Sequence, residues 1–212
     1  MQPLGRGDLA FAADLHTRAL PHGFFPKLGT AFMRRYYATF LRSPWAAALV
    51  ATTEEGRVGV LVGTFDDGAH YRFVARRFWF PLVVSGSSAL ARRPAVAWWF
   101  LRTRGRRYAR GLVRLAGLTD GNVGGGAPAA VAQVGVLAHL AVVESARGKG
   151  AGGELVATFV EQARRRGGSH LRLVTHSSAG AAQFYERLGW ALVGERDGLD
   201  GTAWTEFRLD LT

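Results

Sequence analysis

The spacing of apolar residues predicts helices and strands that alternate along the chain. Apolar side chains recur three and four residues apart over 8–20 and again over 27–41, as on one face of an amphipathic helix. Two further apolar runs, 46–52 and 58–65, flank the turn 54–57 and predict a β-hairpin. The first third of the chain is therefore expected to fold as helix, helix, hairpin.

The pattern beyond residue 133 predicts an α/β order that closes with a second hairpin. The predicted elements are a strand (Val134–Val143), a helix (Glu154–Arg166), a strand (Ser169–Thr175), a helix (Ser178–Leu188) and two hairpin strands (Ala191–Arg196 and Ala203–Leu211). Arginines at 164–166, followed by Gly167, are typical of a helix end. These elements favour a mixed α/β fold with helices on both faces of a sheet.

Length and composition limit the class of protein. A chain of 212 residues, 48% of them apolar, is expected to form a single domain. The absence of cysteine excludes disulfides, thiolate nucleophiles and cysteine metal ligands. The N-terminus lacks a signal pattern, and no apolar run approaches the roughly 20 residues of a spanning helix. We expect a cytoplasmic enzyme or a protein peripheral to the membrane.

One segment accounts for the net charge of +11. Of the 27 basic residues, 11 are arginines between Gly68 and Thr119, where there is no acidic residue, and the other 16 balance the 16 acidic residues. Aromatic residues are interleaved with these arginines. The segment 68–118 predicts two or three helices, with breaks near Pro81, Gly86 and Pro94, and the glycine-rich residues 119–129 predict a flexible linker.

The basic segment 68–118 has two interpretations. In the first, the segment forms an extra helical layer, with its aromatic side chains packed on the core and its arginines in water. Alternatively it binds an anionic, partly apolar partner, because basic helices with Trp and Phe are typical of membrane interfaces. A lipid-linked or phosphate-bearing acceptor would use the same side chains. Nucleic acid is not expected, since no recognised binding motif accompanies the arginines.

The run RGKGAGG at 147–153 lies between a predicted strand and a predicted helix. Small residues there let backbone N–H groups turn towards a ligand, and the helix start adds unpaired donors and a positive dipole end. This indicates a phosphate or pyrophosphate group. A dinucleotide fold is not favoured, because the next strand brings no acidic residue for the ribose. A nucleoside-triphosphate loop would need Ser or Thr where Gly150 follows Lys149.

A second motif, AAQFYERLGW at 181–190, follows about 35 residues later. Together with HLAV at 139–142 and the glycine run, it resembles the GNAT superfamily of acyl-CoA-dependent N-acyltransferases. The resemblance covers roughly residues 134–211. It implies one acyltransferase domain over 1–212, with a GNAT-like mixed central sheet flanked by helices, and makes 68–118 a helical basic insertion.

The resemblance implies that acetyl-CoA is the co-substrate and that an amine attacks its thioester directly in a ternary complex. Tyr185 matches the tyrosine that protonates the departing thiolate in this family. No metal is implied. The implied cofactor-binding residues are Leu140, Val142, Arg147, Gly148, Lys149, Gly150, Ala151, Gly152, Gly153 and Ser178.

The general base is less directly implied. The family often has a glutamate in the strand before the loop, where this chain has Val136, so His139 is the nearest titratable candidate. Strand alternation places His139 on the face opposite Val136 unless a bulge intervenes. His176, an ordered water or a residue from the N-terminal half are alternatives. Candidates for the acceptor pocket, or for an ordinary loop, are His22, Phe24 and Phe25.

The resulting hypothesis is transfer of an acetyl or related acyl group from acetyl-CoA to an amine acceptor. A primary amine on a small molecule or a sugar is the expected acceptor. The alternative is a non-catalytic module that uses the same fold to bind coenzyme A or a membrane surface.

Overall fold

A computed structural model describes residues 1–21, 23–103, 134–177, 180–197 and 203–211. The predicted linker at 119–129 and residues 104–118 of the basic segment lie outside this range. The strands are β1 (Gln2–Pro3), β2 (Ala46–Thr53), β3 (Gly56–Thr64), β4 (Val134–Val142), β5 (His170–His176), β6 (Ala191–Asp197) and β7 (Ala203–Asp210). The α-helices are α1 (Leu9–Ala19), α2 (Thr30–Arg42), α3 (Asp67–Arg77), α4 (Trp79–Ala91), α5 (Pro94–Thr103), α6 (Ala151–Arg165) and α7 (Ala181–Arg187).

The seven strands form one mixed sheet in the order β1-β2-β3-β4-β5-β7-β6. The pairs are antiparallel except for β4 and β5, which run parallel. The parallel pair follows from the long crossover through α6, whereas β2–β3 and β6–β7 are hairpins. This order confirms the predicted α/β class.

The sheet separates two hydrophobic cores. Alternate residues of β3 face opposite sides, so Val60 and Val62 join the core beneath α1 and α2, while Leu61 joins the core beneath α6 and α7. Helix α4 packs on the α1–α2 side against α2. The face of the sheet covered by α1 and α2 is called the α1–α2 side, and the opposite face is called the α6–α7 side.

Helix α6 begins three residues earlier than the sequence predicted, at Ala151 instead of Glu154. Its first turn begins with the small residues Ala151, Gly152 and Gly153. A Cβ added to Gly152 would lie 3.4 Å from the ring of Phe184. Further along, a Cβ on Gly63 of β3 would lie 2.5 Å from the ring of Phe159, so α6 lies very close to the sheet.

Of the three breaks predicted in 67–103, the one at Pro94 is present, the one near Pro81 is shifted and the one at Gly86 is absent. The break between α3 and α4 falls at Phe78, and Pro81 lies in the first turn of α4, where no intrahelical donor is required. Gly86 lies within α4 and does not interrupt it, whereas Pro94 does open a new helix. Among the described helices, none combines the length and apolar character needed to cross a bilayer.

Candidate active site

Strands β4 and β5 pair over only three residues and then separate. The last pair joins Val136 to Arg172, so the C-terminal half of β4 has no β5 partner. On its other edge β4 stays paired with β3, and the N–H of Val143 donates to the carbonyl of Val58 at 2.8 Å. Residues of the opposite parity, Leu140 and Val142, therefore direct their main-chain groups into the gap between β4 and β5.

The side chain of Arg147 folds back over this gap. Its Nε donates a hydrogen bond to the carbonyl of Val142 at 3.3 Å, and the side chain is otherwise exposed. One of the main-chain acceptors at the gap is thus satisfied by a side chain from the loop that follows β4.

The loop after β4 requires glycine at two positions. Gly148 has φ +75° and Gly150 has φ +91°, a region that L side chains rarely adopt. A Cβ at either position would meet nothing within 4 Å, so both open onto free space. The two residues therefore turn the chain while leaving an open cradle in front of α6.

The amides of this loop are available for an anion. The N–H of Lys149 donates to Ala146 at 3.4 Å and that of Glu154 to Gly150 at 3.1 Å. The described residues offer no acceptor to the amides of Gly148 and of residues 150–153. These donors, the N-terminal dipole of the 15-residue α6 and the exposed Lys149 make the cradle electropositive.

A bulge in β4 settles which way His139 points. Val62 pairs with His139 and the next residue, Gly63, pairs with Leu137, so Ala138 is the extra residue. Since Val136 pairs with Thr64, two residues beyond Val62, His139 and Val136 lie on the same face. The simple alternation that would have separated them does not apply, and His139 faces the α1–α2 side.

His139 lies in a cluster of histidine and tyrosine side chains. Its Nε2 is 3.0 Å from the hydroxyl of Tyr36, and its ring meets that of His16 edge-on at 4.4 Å. Burial, with a smaller contribution from His16, holds the pKa of His139 well below its usual value. The imidazole is therefore neutral near pH 7, with a lone pair able to accept a proton.

A second histidine–tyrosine pair, His16 and Tyr37, lies behind the pair formed by His139 and Tyr36. The Nδ1 of His16 is 3.0 Å from the hydroxyl of Tyr37, and both residues are buried. Burial lowers the pKa of His16 to about 4 and raises that of Tyr37 above its usual value. Sequence reasoning missed His16, Tyr36 and Tyr37. The only signal was a histidine on the inward face of α1, which does not reveal its partner.

Tyr185 lies on the α6–α7 side, opposite His139. Its ring packs among Phe184, Trp190 and Phe207, and its hydroxyl has no hydrogen bond to a described residue. Burial raises the pKa of Tyr185, so the phenol is protonated at neutral pH. The two candidate proton-handling groups thus lie on opposite faces of the sheet.

The remaining candidates are distributed as follows. Phe25 packs 4.8 Å from the ring of Tyr36, beside the His139 cluster, and Phe24 is buried next to it. His176, at the end of β5, lies 5.8 Å from the ring of Trp204 and is not part of that cluster. His22 and Ser178 lie outside the described residues. Within the described ranges, no three His, Asp or Glu side chains are grouped as a metal site requires.

Comparisons with known proteins match this architecture. The family model "Acetyltransferase (GNAT) domain" matches residues 115–211. No curated protein matches the sequence. The family-model match covers less than half of the chain, and over that region it confirms the resemblance to the GNAT family that the two motifs indicated.

Solved structures share the fold at low sequence identity. SsHAT superposes with TM-score 0.60 at 18% identity, covering 100% of this chain and 97% of that one. Ard1 from Thermoplasma volcanium gives 0.55 at 13%, covering 100% and 96%. A protein described as histone acetyltransferase HPA2 and related acetyltransferase, from Corynebacterium glutamicum, gives 0.53 at 20%, covering 98% and 93%. At these identities the comparison concerns the fold alone.

Proposed function

We propose that this protein transfers an acetyl group, or a related acyl group, from coenzyme A to an amine acceptor. The observation that carries the proposal is the alignment of the β4–β5 gap with the open glycine cradle at the end of β4. A long thioester with an anionic end fits this arrangement. Main-chain groups of Leu140 and Val142 point into the gap, and the amides at its end have no acceptor among the described residues.

The cradle would hold the pyrophosphate of coenzyme A through main-chain donors. Residues 148–153 supply the amides, and Arg147 and Lys149 supply positive charge at the same end. Main-chain groups of Leu140 and Val142 would pair with the pantetheine amides as an added strand would. We keep Ser178 as a predicted cofactor contact of this site.

The two proton-handling side chains suit opposite ends of one acyl transfer. The amine nitrogen attacks the thioester carbonyl, the carbon–sulfur bond breaks, and the sulfur leaves with the bonding pair. The protonated phenol of Tyr185, on the α6–α7 side, would give its proton to that sulfur. The neutral imidazole of His139, on the α1–α2 side, would take the proton that the amine loses, directly or through Tyr36.

The acceptor would enter from the α1–α2 side, where His139 and Tyr36 lie beside Phe25. The same face of the sheet continues over β5 and β7, where the carboxylate of Glu206 pairs with Arg172 at 3.1 Å and with Arg196 at 3.8 Å. The aromatic wall beside His139 is suited to a cationic amine, which ring faces attract. We therefore propose a primary amine on a small molecule or a sugar as the acceptor.

Two measurements test the proposal. Calorimetric titration should show acetyl-CoA binding, and coenzyme A should compete for the same site. A panel of primary amines should then release free thiol in proportion to N-acetylated product, as identified by mass spectrometry. Binding without turnover on any amine would favour the non-catalytic module that binds coenzyme A. Absence of binding would overturn both the acyltransferase and that module, and would leave only a module that binds a membrane surface.

A further inference from the structure

The surface formed by α3 and α4 has no role in the proposed reaction, yet it carries an unusual combination of side chains. A groove of about 780 Å³ lies between the end of α2, the start of β2 and α3. Four arginines and three aromatic residues contribute most of its lining: Arg42, Arg72, Arg76, Arg77, Trp45, Phe73 and Phe78. Its character is cationic and aromatic.

Among the described residues, the arginines of the groove have no acidic partner. None of the four guanidinium groups forms an ion pair with a described residue, although Arg42 lies over the ring of Phe78 at 5.5 Å. Across the whole of 67–103 there are six arginines and one carboxylate, that of Asp67. The positive charge is therefore uncompensated locally and available to an anionic partner.

Helix α4 continues this surface as an exposed apolar face. It is 13 residues long, about 20 Å, contains no charged residue and buries none of its side chains fully. Leu82, Ala89 and Leu90 pack inward, whereas four other large apolar side chains of the helix are exposed. The exposed side chains are Trp79 (50%), Phe80 (61%), Val83 (42%) and Val84 (50%).

Exposed arginines bracket this apolar face at both ends of α4, at 76–77 and at 92–93. We propose that α4 and the arginine groove dock on the surface of an anionic phospholipid bilayer. The aromatic and valine side chains would enter the interface, and the guanidinium groups would pair with lipid phosphates. The protein would lie on the membrane without crossing it.

Charge and shape favour a bilayer over other occupants of this face. Nucleic acid would pair with the arginines but offers no apolar volume to Val83 and Val84. A second copy of the chain, docked symmetrically, would bring two sets of uncompensated arginines together, and like charges repel. A bilayer interface provides phosphates and an apolar layer side by side.

The first experiment measures binding to vesicles by sedimentation, without any acyl-CoA, so the result is independent of the proposed reaction. The protein should bind vesicles of phosphatidylcholine mixed with phosphatidylglycerol, and it should not bind phosphatidylcholine alone. Binding should weaken as salt is raised. Free inorganic phosphate or glycerophosphate at matched ionic strength should not displace the protein, which separates a bilayer from a soluble phosphate ligand.

Matched variants locate the surface. Arg76→Gln with Arg77→Gln should weaken vesicle binding by about 25-fold, from about fivefold for each arginine. Arg164→Gln with Arg187→Gln removes the same charge from the α6–α7 side and should change binding less than about threefold. Equal losses in the two double variants would reduce the effect to net charge and overturn the assignment.

Apolar insertion has its own control. Phe80→Ser with Val84→Ser should weaken binding by about tenfold, because exposed apolar area no longer enters the interface. Leu192→Ser with Val193→Ser removes two exposed apolar side chains from β6 and should have no effect. Sedimentation equilibrium of the free protein should show a monomer. A dimer that the Phe80→Ser and Val84→Ser changes dissociate would overturn the proposal in favour of self-association.

Discussion

The proposed cofactor side and the proposed acceptor side of the β4–β5 gap depend on different kinds of contact. On the cofactor side the proposed contacts are main-chain groups of a turn and a strand, and they come from residues 140–153. On the acceptor side the proposed contacts are side chains from α1, α2 and β4, and Tyr36 and His139 are 103 positions apart in the sequence. A site built from the backbone leaves a short motif in the sequence, whereas a site built from distant side chains does not.

The strongest perturbation should affect both sides, because β4 belongs to each. A Cβ on Gly135 would lie 2.5 Å from the side chain of Leu171 and 2.6 Å from the carbonyl oxygen of Thr64. Gly135→Ala should therefore lower the free energy of unfolding by about 3 kcal/mol. Chemical denaturation measures this loss.

The matched control for that change is Gly194→Ala in β6, where an added Cβ meets nothing within 4 Å. It should alter stability by less than about 0.5 kcal/mol. Similar midpoints for the two variants would mean that the close approach at Gly135 does not constrain the sheet.

The next test removes chemistry from the cofactor side and leaves its binding groups in place. Tyr185→Phe keeps the ring packing on Trp190 and Phe207 but deletes the proton donor. We expect kcat to fall about 100-fold, within the usual range for one acid, with acetyl-CoA binding unchanged. Tyr71→Phe, on an exposed side chain of α3, should leave both unchanged. Undiminished turnover in Tyr185→Phe would remove this residue from the mechanism.

Lowering the pH should reduce the stability of the folded protein through His16 and His139 on the acceptor side. The pKa of His16 is about 4 in the folded protein against 6.5 when exposed, so below pH 6.5 the unfolded chain binds a proton that the folded protein does not. Stability is then fully present above pH 6.5 and declines towards pH 4, by about 2 kcal/mol at pH 5 from His16 alone. The lowered pKa of His139 acts in the same direction.

Urea denaturation at pH 7 and pH 5 measures the effect, and His16→Gln is the comparison variant. Because glutamine does not titrate, the variant should lose about 2 kcal/mol less than the parent between the two pH values. If both proteins lost the same amount, the acid sensitivity would arise elsewhere.

The smallest expected effect comes from a substitution in the glycine cradle. Gly150→Ala imposes a φ of +91° on alanine and places a methyl group in the open space before α6. Gly56→Ala, in the β2–β3 turn, imposes φ +118° with equally free surroundings. Both should cost about 1–2 kcal/mol of stability, but Gly150→Ala alone should weaken acetyl-CoA binding, by about tenfold. Equal affinities in the two variants would place the pyrophosphate elsewhere.

Much of the fold was predictable because periodicity and turn residues are local signals. The order of strands and helices in the matched region, the mixed sheet and the hairpins all agree with the expectation. The start of α6 was predicted too late, since the glycines at 152 and 153 do not indicate a helix although they form its first turn. Pro81 was interpreted as a break although the first turn of a helix accepts proline.

In the candidate site, too, the local features were predictable from the sequence and the features that depend on tertiary packing were not. The glycine turn and the parity of Leu140 and Val142 follow from local sequence, and the roles of these residues as cofactor contacts stay predictions. The orientation of His139 depends on an extra residue at Ala138, and a bulge has no fixed sequence signature. The pairing of His16 with Tyr37 depends on how α1 crosses α2, so tertiary packing alone determines it.

The bond from Arg147 to the Val142 carbonyl has a consequence for fragments of the cofactor. On the proposed binding mode, the pantetheine arm must displace this guanidinium, which is then free to pair with the pyrophosphate. One arginine thereby makes the two ends of the molecule interdependent. Pantetheine and adenosine diphosphate, supplied together as separate pieces, should each bind more tightly than either does alone.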